Sequence, residues 1–382
     1  MRSVVYTKPG DSSVLTLEER PVPTPGPGEV RVRVVVSGVN PTDWKARQGG
    51  TYGDDLPFPE ITPNQDGAGV VDAVGDGVDG LTVGDHVWLY MAAASRPTGT
   101  AQEYTVVPAA RAVRLPEGIG FDIGASLGVP AMTAHRALTT HEHGPDRLAP
   151  GALNGKTVLV AGGAGAVGHA AIQLARWAGA TVVTTISSDA KAALATAAGA
   201  HHTVNYRDED ASAQIRAIAP DGVDIVVEVS IPQNAALVAE VLANHGVVSI
   251  YANNGGDEAT LPIRPNMSIN ARYQFLLLYT IGDEALTAAA EDVTAALRDG
   301  VLPVGEDQGL PLVRFALEDT AAAHDAVEQD TVGKVLIDVS ASVVGAARPD
   351  QRASAAARRA SNRRRAATRS RSMFAAMTSR SS

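Results

Sequence analysis

The stretch Thr157–Gly179, TVLVAGGAGAVGHAAIQLARWAG, decides the fold expected of this chain. It begins with a short apolar, β-branched run typical of a buried strand. It continues through a glycine-rich turn into apolar residues at helical spacing, until a glycine ends the helix. Gly163, Gly165 and Gly168 match G-x-G-x-x-G, in which glycines allow a tight turn, the approach of a pyrophosphate and close helix–strand packing. The stretch therefore predicts a dinucleotide site, with phosphates on free N–H groups of the first helical turn, which includes Val167.

Composition limits the class of protein. The 382 residues are enough for more than one domain, 45% of them are hydrophobic and the mean hydropathy is near zero. No apolar run approaches the ~20 residues of a membrane span, and the start MRSVVYTKPGDSS lacks the apolar core of a signal peptide. We expect a soluble cytoplasmic protein without a membrane partner. The absence of cysteine excludes disulfides, thiol nucleophiles and thiolate metal sites.

Charge is distributed unevenly along the chain. The net charge is −10, yet residues 341–382 hold ten Arg and one Asp, so that residues 1–340 carry −19. An acidic body argues against non-specific binding of nucleic acid by the folded part. The segment 341–382 is rich in Ala, Arg and Ser and is predicted to be disordered. RNA binding through its arginines remains an alternative.

Three regions precede that segment. Residues 1–128 contain short predicted strands between Pro- and Gly-rich turns, which indicates a β-rich, barrel-like domain. Residues 129–281 begin with a helix at Pro130–Thr140 and then alternate strand and helix, which predicts a doubly wound parallel α/β sheet. Residues 282–339 add further helices and strands.

Several spaced motifs carry a resemblance to a known family. They are Gly38–Pro41, Asp66–Val70, Val83–Val87, Gly128–Leu138, the glycine-rich turn, Val204–Asp210 and Thr331–Ile337. With these motifs in this order, residues 1–339 resemble the medium-chain dehydrogenase/reductase superfamily, in its zinc-free quinone oxidoreductase (zeta-crystallin-like) branch. The resemblance implies a GroES-like catalytic domain (1–128, completed by 282–339), a Rossmann domain (129–281) and a cleft between them. It also implies a homodimer formed through the fifth and sixth Rossmann strands.

The residues argue against a metal. Zinc-using relatives place a Cys at the position of Asn40 and a His at the position of Gln65, whereas zinc prefers thiolate and imidazole to amides. The remaining pairs, His141-x-His143 and His201-His202, have no acidic or His partner at a convincing spacing and are interpreted as solvated. We therefore predict no metal site.

The cofactor is predicted from the end of the second Rossmann strand. NAD-specific sites carry an acidic residue there, whereas this strand ends Thr185-Ile186-Ser187-Ser188. Groups that could bind a 2′-phosphate are Ser187, Ser188, Lys191 and Arg207. The resemblance places Tyr206 beside the phosphorylated ribose. These residues favour NADPH, and Asp189, one step into the next helix, leaves NADH open.

The resemblance also implies a reaction. Zinc-free relatives pass hydride from NADPH to a conjugated acceptor, a quinone or an enone, for which the protein holds the reactants and stabilises an oxyanion. Asn40 is then expected to face the nicotinamide as a hydrogen-bond donor, with Tyr52 at the cleft mouth. Asn253 is expected in the same cleft, and Lys334 in the motif that returns to the cofactor. The alternatives are an enoyl-thioester reductase and a non-catalytic, crystallin-like protein that binds NADPH or RNA. The choice of acceptor is expected in the loops Leu89–Thr98 and Arg272–Ile281.

Overall fold

A computed structural model of the chain describes residues 1–50, 55–207 and 210–340. These residues form three β-sheets. Met1–Ser340 belong to one compact unit. The segment predicted to be disordered, 341–382, and Tyr52 lie outside the described residues. The strands are β1 (Arg2–Val5), β2 (Thr16–Glu19), β3 (Glu29–Val39), β4 (Asp66–Val74), β5 (His86–Leu89), β6 (Tyr104–Pro108), β7 (Ala112–Arg114), β8 (Thr157–Ala161), β9 (Thr181–Ile186), β10 (His202–Asn205), β11 (Val223–Glu228), β12 (Leu242–Ile250), β13 (Arg272–Phe275), β14 (Leu312–Ala316) and β15 (Lys334–Asp338). The α-helices are α1 (Pro41–Arg47), α2 (Phe121–Leu138), α3 (Ala166–Trp177), α4 (Asp189–Ala197), α5 (Ala211–Ile218), α6 (Ile231–Val241), α7 (Ile263–Ser268), α8 (Asp283–Arg298) and α9 (Thr320–Glu328). In the described part of the chain, no helix is long and apolar enough to cross a bilayer.

The parallel sheet predicted from the glycine-rich stretch is confirmed. Its strand order is β10-β9-β8-β11-β12-β13, and every neighbouring pair is parallel. This doubly wound order reverses between β8 and β11, which leaves a crevice at the carboxyl ends of these two strands. Both faces of the sheet are covered, as an apolar run such as that of β8 requires. Val158 and Val160 pack in the core that includes α2 and α3, and Leu159 packs on the other face with α5 and α6.

The second large sheet joins strands from both ends of the described chain. Its order is β14-β15-β3-β4-β5-β7, with β6 paired to β3. Its pairs are antiparallel except for β14 with β15. The long strand β3 lies between β15 and β4, so that residues far apart in the sequence meet at its carboxyl end.

Helix α2 corrects the helix predicted at Pro130–Thr140. It begins nine residues earlier, at Phe121, and is kinked at Gly128, whose φ is −17° and ψ −107°. A Cβ at Gly128 would lie 2.0 Å from Asp66 Oδ1, and the backbone N–H of Val129 donates to that same oxygen at 2.8 Å. Pro130 therefore follows a kink inside α2, where the Asp66 carboxylate replaces a backbone acceptor, and does not begin the helix.

Two further elements correct the sequence interpretation. Arg272–Phe275, assigned to a loop, forms β13 and pairs with β12 at the edge of the parallel sheet. Its residues are exposed or half-buried, so the strand lacks the alternating burial that a sequence pattern reveals. Helix α1 was also missed, because only two of its residues are buried and no apolar face marks it.

Candidate active site

The glycine-rich turn between β8 and α3 has the shape that a dinucleotide phosphate requires. Cβ atoms at Gly163 and Gly168 would lie 2.2 Å from Thr184 Oγ1 and 2.5 Å from the Gly162 carbonyl oxygen, so both positions require glycine. At Gly165 the nearest such neighbour is 3.5 Å away, which leaves room for a ligand against the backbone. Gly165 is the N-cap residue of α3 and offers no capping side chain, so the first-turn N–H groups remain available to an anion.

The residues predicted to select the cofactor come together at the carboxyl ends of β9 and β10. Tyr206 N donates to Ile186 O at 3.1 Å, which places the half-exposed Tyr206 beside the end of β9. Ser188 is the N-cap residue of α4, and its Oγ accepts a hydrogen bond from Lys191 N at 3.4 Å. Ser187 is buried, whereas Asp189, the first residue of α4, is exposed. The serines, Lys191 and the tyrosine thus follow the carboxyl ends of two neighbouring strands, and their binding of a 2′-phosphate stays a prediction.

Four buried polar side chains meet where α1, β4 and β15 begin. They are Asn40, Asp43, Asp66 and Lys334, none more than 4% exposed. Asn40 Nδ2 donates to Asp66 Oδ2 at 2.7 Å, and Lys334 Nζ donates to Asn40 Oδ1 at 2.7 Å. Lys334 Nζ also lies 3.6 Å from Asp66 Oδ2. Because an ammonium only donates and a carboxylate only accepts, these contacts leave the Asn40 amide one orientation.

Asp43 holds the backbone on two sides of this cluster. Its Oδ2 accepts a hydrogen bond from Asn40 N at 2.7 Å, and its Oδ1 accepts one from Gln65 N at 3.0 Å. The Gln65 side chain in turn accepts from Ala93 N at 3.1 Å. Asn40 and Gln65 are the positions at which zinc-using relatives carry ligands, and here both present buried amides fixed by hydrogen bonds.

Burial shifts the pKa values of the ionisable groups in the cluster. Burial, and next the charge of Asp66, raise the pKa of Asp43 to about 8, although two backbone N–H groups and Lys334 oppose the shift. Burial also raises the pKa of Asp66, against the ammonium of Lys334. Burial lowers the pKa of Lys334, against the carboxylates of Asp66 and Asp43. Two carboxyl groups and one ammonium share a dry site, which favours a proton on Asp43 and an ion pair between Asp66 and Lys334.

Side chains of α1 contact loops that follow strands of the parallel sheet. Lys45 Nζ donates to Asn253 Oδ1 at 3.0 Å, and Asn253 Nδ2 donates to Asp257 Oδ1 at 2.6 Å. Tyr279 Oη donates to Thr42 Oγ1 at 3.2 Å. Asn253 follows the carboxyl end of β12, so these contacts join the loops that follow the parallel sheet to the helix that carries Asn40 at its N-cap.

Sequence reasoning assigned Asn40 and Lys334 to separate tasks and overlooked Asp43. The structure places the Lys334 ammonium against Asn40 and the Val39 carbonyl, and its binding to the cofactor stays a prediction. A local signal for Asp43 existed. Asn40, Pro41 and Asp43 are the N-cap, N1 and N3 residues of α1, a pattern that marks a helix start.

One interpretation of the histidines is wrong. His141 was expected to be solvated, yet its side chain is buried, at 7% exposed. His143 is exposed as expected, and it lies beside Glu142 and His245, with the ligand atoms of the three residues within 4.8 Å of one another. His245 comes from the start of β12, a hundred residues along the chain, so no spacing in the sequence could reveal it.

Comparison with known proteins identifies both halves of the described chain. Residues 26–117 match the family described as alcohol dehydrogenase GroES-like domain, and residues 166–293 match the zinc-binding dehydrogenase family. The second match contains neither Asn40 nor Gln65. The quinone oxidoreductase of Rattus norvegicus is 30% identical over 345 residues, which cover 88% of this chain and 97% of that protein.

Solved structures agree with this assignment. A structure described as an NAD-dependent alcohol dehydrogenase superposes with a TM-score of 0.77 at 29% identity, covering 89% of this chain and 100% of that one. A mycobacterial protein complexed with NADPH superposes with a TM-score of 0.73 at 27% identity, covering 88% and 99%.

Proposed function

The chain belongs to the medium-chain dehydrogenase/reductase superfamily, in its quinone oxidoreductase branch, and from this we propose that it transfers hydride from NADPH to a quinone or another conjugated carbonyl acceptor without a catalytic metal. The observation that carries the proposal is the single orientation of the buried Asn40 amide between Asp66 and Lys334. It supplies a hydrogen-bond donor at a position where zinc-using relatives have a ligand.

The described residues fit the cofactor. The backbone of Gly163, Gly165 and Gly168, with the N–H of Val167, would hold the pyrophosphate. The 2′-phosphate would lie among Ser187, Ser188, Lys191, Arg207 and Tyr206. Bound there, NADPH supplies the hydride. The exposed Asp189 and the likeness to an NAD-dependent alcohol dehydrogenase are the observations that favour NADH instead.

Asn40 has one task in this scheme. A conjugated carbonyl is already electrophilic, so the protein has to position it and stabilise the negative charge that develops on its oxygen. Of the two N–H groups on Asn40 Nδ2, one donates to Asp66, and the other has no hydrogen-bond acceptor among the described residues and would donate to that oxygen. Tyr52 remains a prediction as a second donor, and Asn253 as a residue that contacts the nicotinamide end.

The test is oxidation of NADPH and NADH, offered separately, with ortho-quinones, para-quinones, enones and an enoyl thioester in the presence of a chelator. We expect chelator-insensitive oxidation of NADPH, and the best acceptor separates quinone reductase from enoyl-thioester reductase.

Asn40→Ala should lower kcat by about 100-fold, the loss expected of one oxyanion donor, while the Kd for NADPH stays within about threefold. The exposed Asn244→Ala is the matched control. Activity that requires zinc contradicts the proposal, and tight NADPH binding without turnover favours the non-catalytic alternative.

We also propose that the protein forms a homodimer through β13. In the described part of the chain this strand pairs with β12 on one side and with no strand on the other. Phe275, its last residue, is 69% exposed, and Leu277, two residues further on, is 58% exposed; an open edge beside apolar side chains invites pairing with a second chain. Light scattering should show a dimer for the wild type and a monomer for Phe275→Glu. Val83→Glu, at another exposed apolar side chain, should leave the dimer intact, and a monomeric wild type would exclude this interface.

A further inference from the structure

Glu142, His143 and His245 form a cluster of side chains that can ligate a metal. Glu142 and His143 follow α2, and His245 lies near the start of β12. One ligand atom from each lies within 4.8 Å of the other two. The rings of His143 and His245 are 6.0 Å apart between centroids, and all three side chains are exposed.

The donor set selects a class of ion. Two imidazoles and one carboxylate are ligands that Zn²⁺ and the late first-row divalent metals prefer, whereas Mg²⁺ and Ca²⁺ prefer oxygen alone. Three protein ligands leave one tetrahedral position for water. With metal–ligand bonds of about 2.0–2.2 Å, the ligand atoms would close to about 3.4 Å apart, a movement of about 1 Å that exposed side chains can make. We propose that Glu142, His143 and His245 bind Zn²⁺ or a chemically similar divalent transition-metal ion.

This site is separate from the proposed reaction. His245 lies toward the amino end of β12, whereas Asn253 follows its carboxyl end. An extended chain between them spans about 25 Å. A metal bound at Glu142, His143 and His245 would tie the loop after α2 to β12 without touching the acceptor.

Two neighbouring residues are expected to change the metal affinity in opposite directions, with His141 raising it and Arg272 lowering it. His141 Nδ1 accepts a hydrogen bond from His143 N at 3.1 Å, which restrains the backbone beside two of the ligands. Arg272 Nη2 lies 3.6 Å from Glu142 Oε1 and competes with a cation for that carboxylate. Removing Arg272 should therefore strengthen metal binding.

The test is calorimetric titration of the chelator-stripped full chain with Zn²⁺ alone. We expect one ion per chain, at least about tenfold weaker binding for His143→Ala and for His245→Ala, and tighter binding for Arg272→Ala. His202→Ala, which removes an exposed histidine on β10, is the matched control and should bind like the wild type. With Cu²⁺, electron paramagnetic resonance should show coupling to two imidazole nitrogens in the wild type and to one in each histidine variant.

The outcome is independent of the proposed reductase activity. Each variant should keep its circular dichroism spectrum and its affinity for NADPH, which shows that the fold is intact. Equal Zn²⁺ affinity in His143→Ala, His245→Ala and His202→Ala, or no binding to the wild type, overturns the proposal.

Discussion

Replacing Lys334 by Met tests whether the buried cluster is held by charge. Lys334 and Asp66 are 1% and 0% exposed, and their charged atoms are 3.6 Å apart. At an effective dielectric constant of about 20, this separation corresponds to an attraction of roughly 4–5 kcal/mol. Lys334→Met leaves the Asp66 carboxylate buried without a cation, with hydrogen bonds from Asn40 and Val129 alone. Loss of one partner of a buried pair lowers the free energy of unfolding by about 3–5 kcal/mol.

The assay is urea unfolding of the full chain, followed by circular dichroism. Lys156→Met is the matched control, because Lys156 pairs with Asp224 at 2.9 Å while both side chains are partly exposed. A pair of that kind contributes about 1 kcal/mol or less. Asp66→Asn should cost about as much as Lys334→Met, and the double variant much less than the sum of both. If Lys334→Met costs no more than Lys156→Met, or if the two single effects add, the charges are not coupled as argued.

Three further changes test the cofactor site and the packing. Ser188→Asp keeps an N-cap acceptor on α4 but places a carboxylate at the end of β9, so the kcat/KM ratio of NADPH to NADH should fall about 100-fold. Gly168→Ala puts a Cβ 2.5 Å from a backbone oxygen of the turn, and fluorescence titration should show at least about tenfold weaker NADPH binding. Although burial opposes it, hydrogen bonds from His135 and Arg147 lower the pKa of Asp292 to about 2. Because this folded-state pKa lies below the unfolded value, the stability that Asp292 confers, about 2 kcal/mol, is complete above about pH 4 and is lost as the pH falls through 2. Because Glu29, Asp85 and Glu103 also have lowered pKa values, thermal unfolding between pH 2 and 5 should show some loss in both proteins, and the loss should be about 2 kcal/mol smaller in Asp292→Asn than in the wild type.

Local pattern predicted the parallel sheet because each of its central strands and helices carries its own signal. The β-branched run of β8, the glycine turn and the apolar spacing of α3 lie within one short stretch. β13 has no buried side chain and α1 has no apolar face, so neither shows a hydrophobic pattern, although Asn40, Pro41 and Asp43 mark the start of α1. Hydrophobic pattern therefore predicted the elements with a core-facing side and missed these two.

The sequence predicted residues of the site but not the contacts between them. Asn40 was expected from its place in a motif, but the partner that fixes its Oδ1 is Lys334, 294 positions away. The kink of α2 depends in the same way on the Asp66 carboxylate, 63 positions before Val129. No spacing in a single sequence encodes such pairs. Strand pairing on both sides of β3 brings Lys334 and Asp66 to Asn40, and helix packing brings Val129 to Asp66.

The buried ion pair between Asp66 and Lys334 is better explained by the orientation that it gives the Asn40 amide than by a contribution to stability. Burying two charges costs desolvation that their attraction only partly offsets, and apolar replacements of such pairs are often neutral or stabilising. An ammonium on one side of the Asn40 amide and a carboxylate on the other allow one amide orientation, which neutral residues do not enforce. The double variant Asp66→Asn with Lys334→Met separates the two roles. Val129 N donates to the oxygen at position 66, so the new amide turns its NH2 group toward Asn40. Because Met donates nothing to Asn40 Oδ1, this variant favours the flipped Asn40 amide. We expect this variant to regain most of the stability lost in the single variants while its kcat remains well below that of the wild type. A wild-type kcat in the double variant would show that the orientation of Asn40 does not matter to turnover.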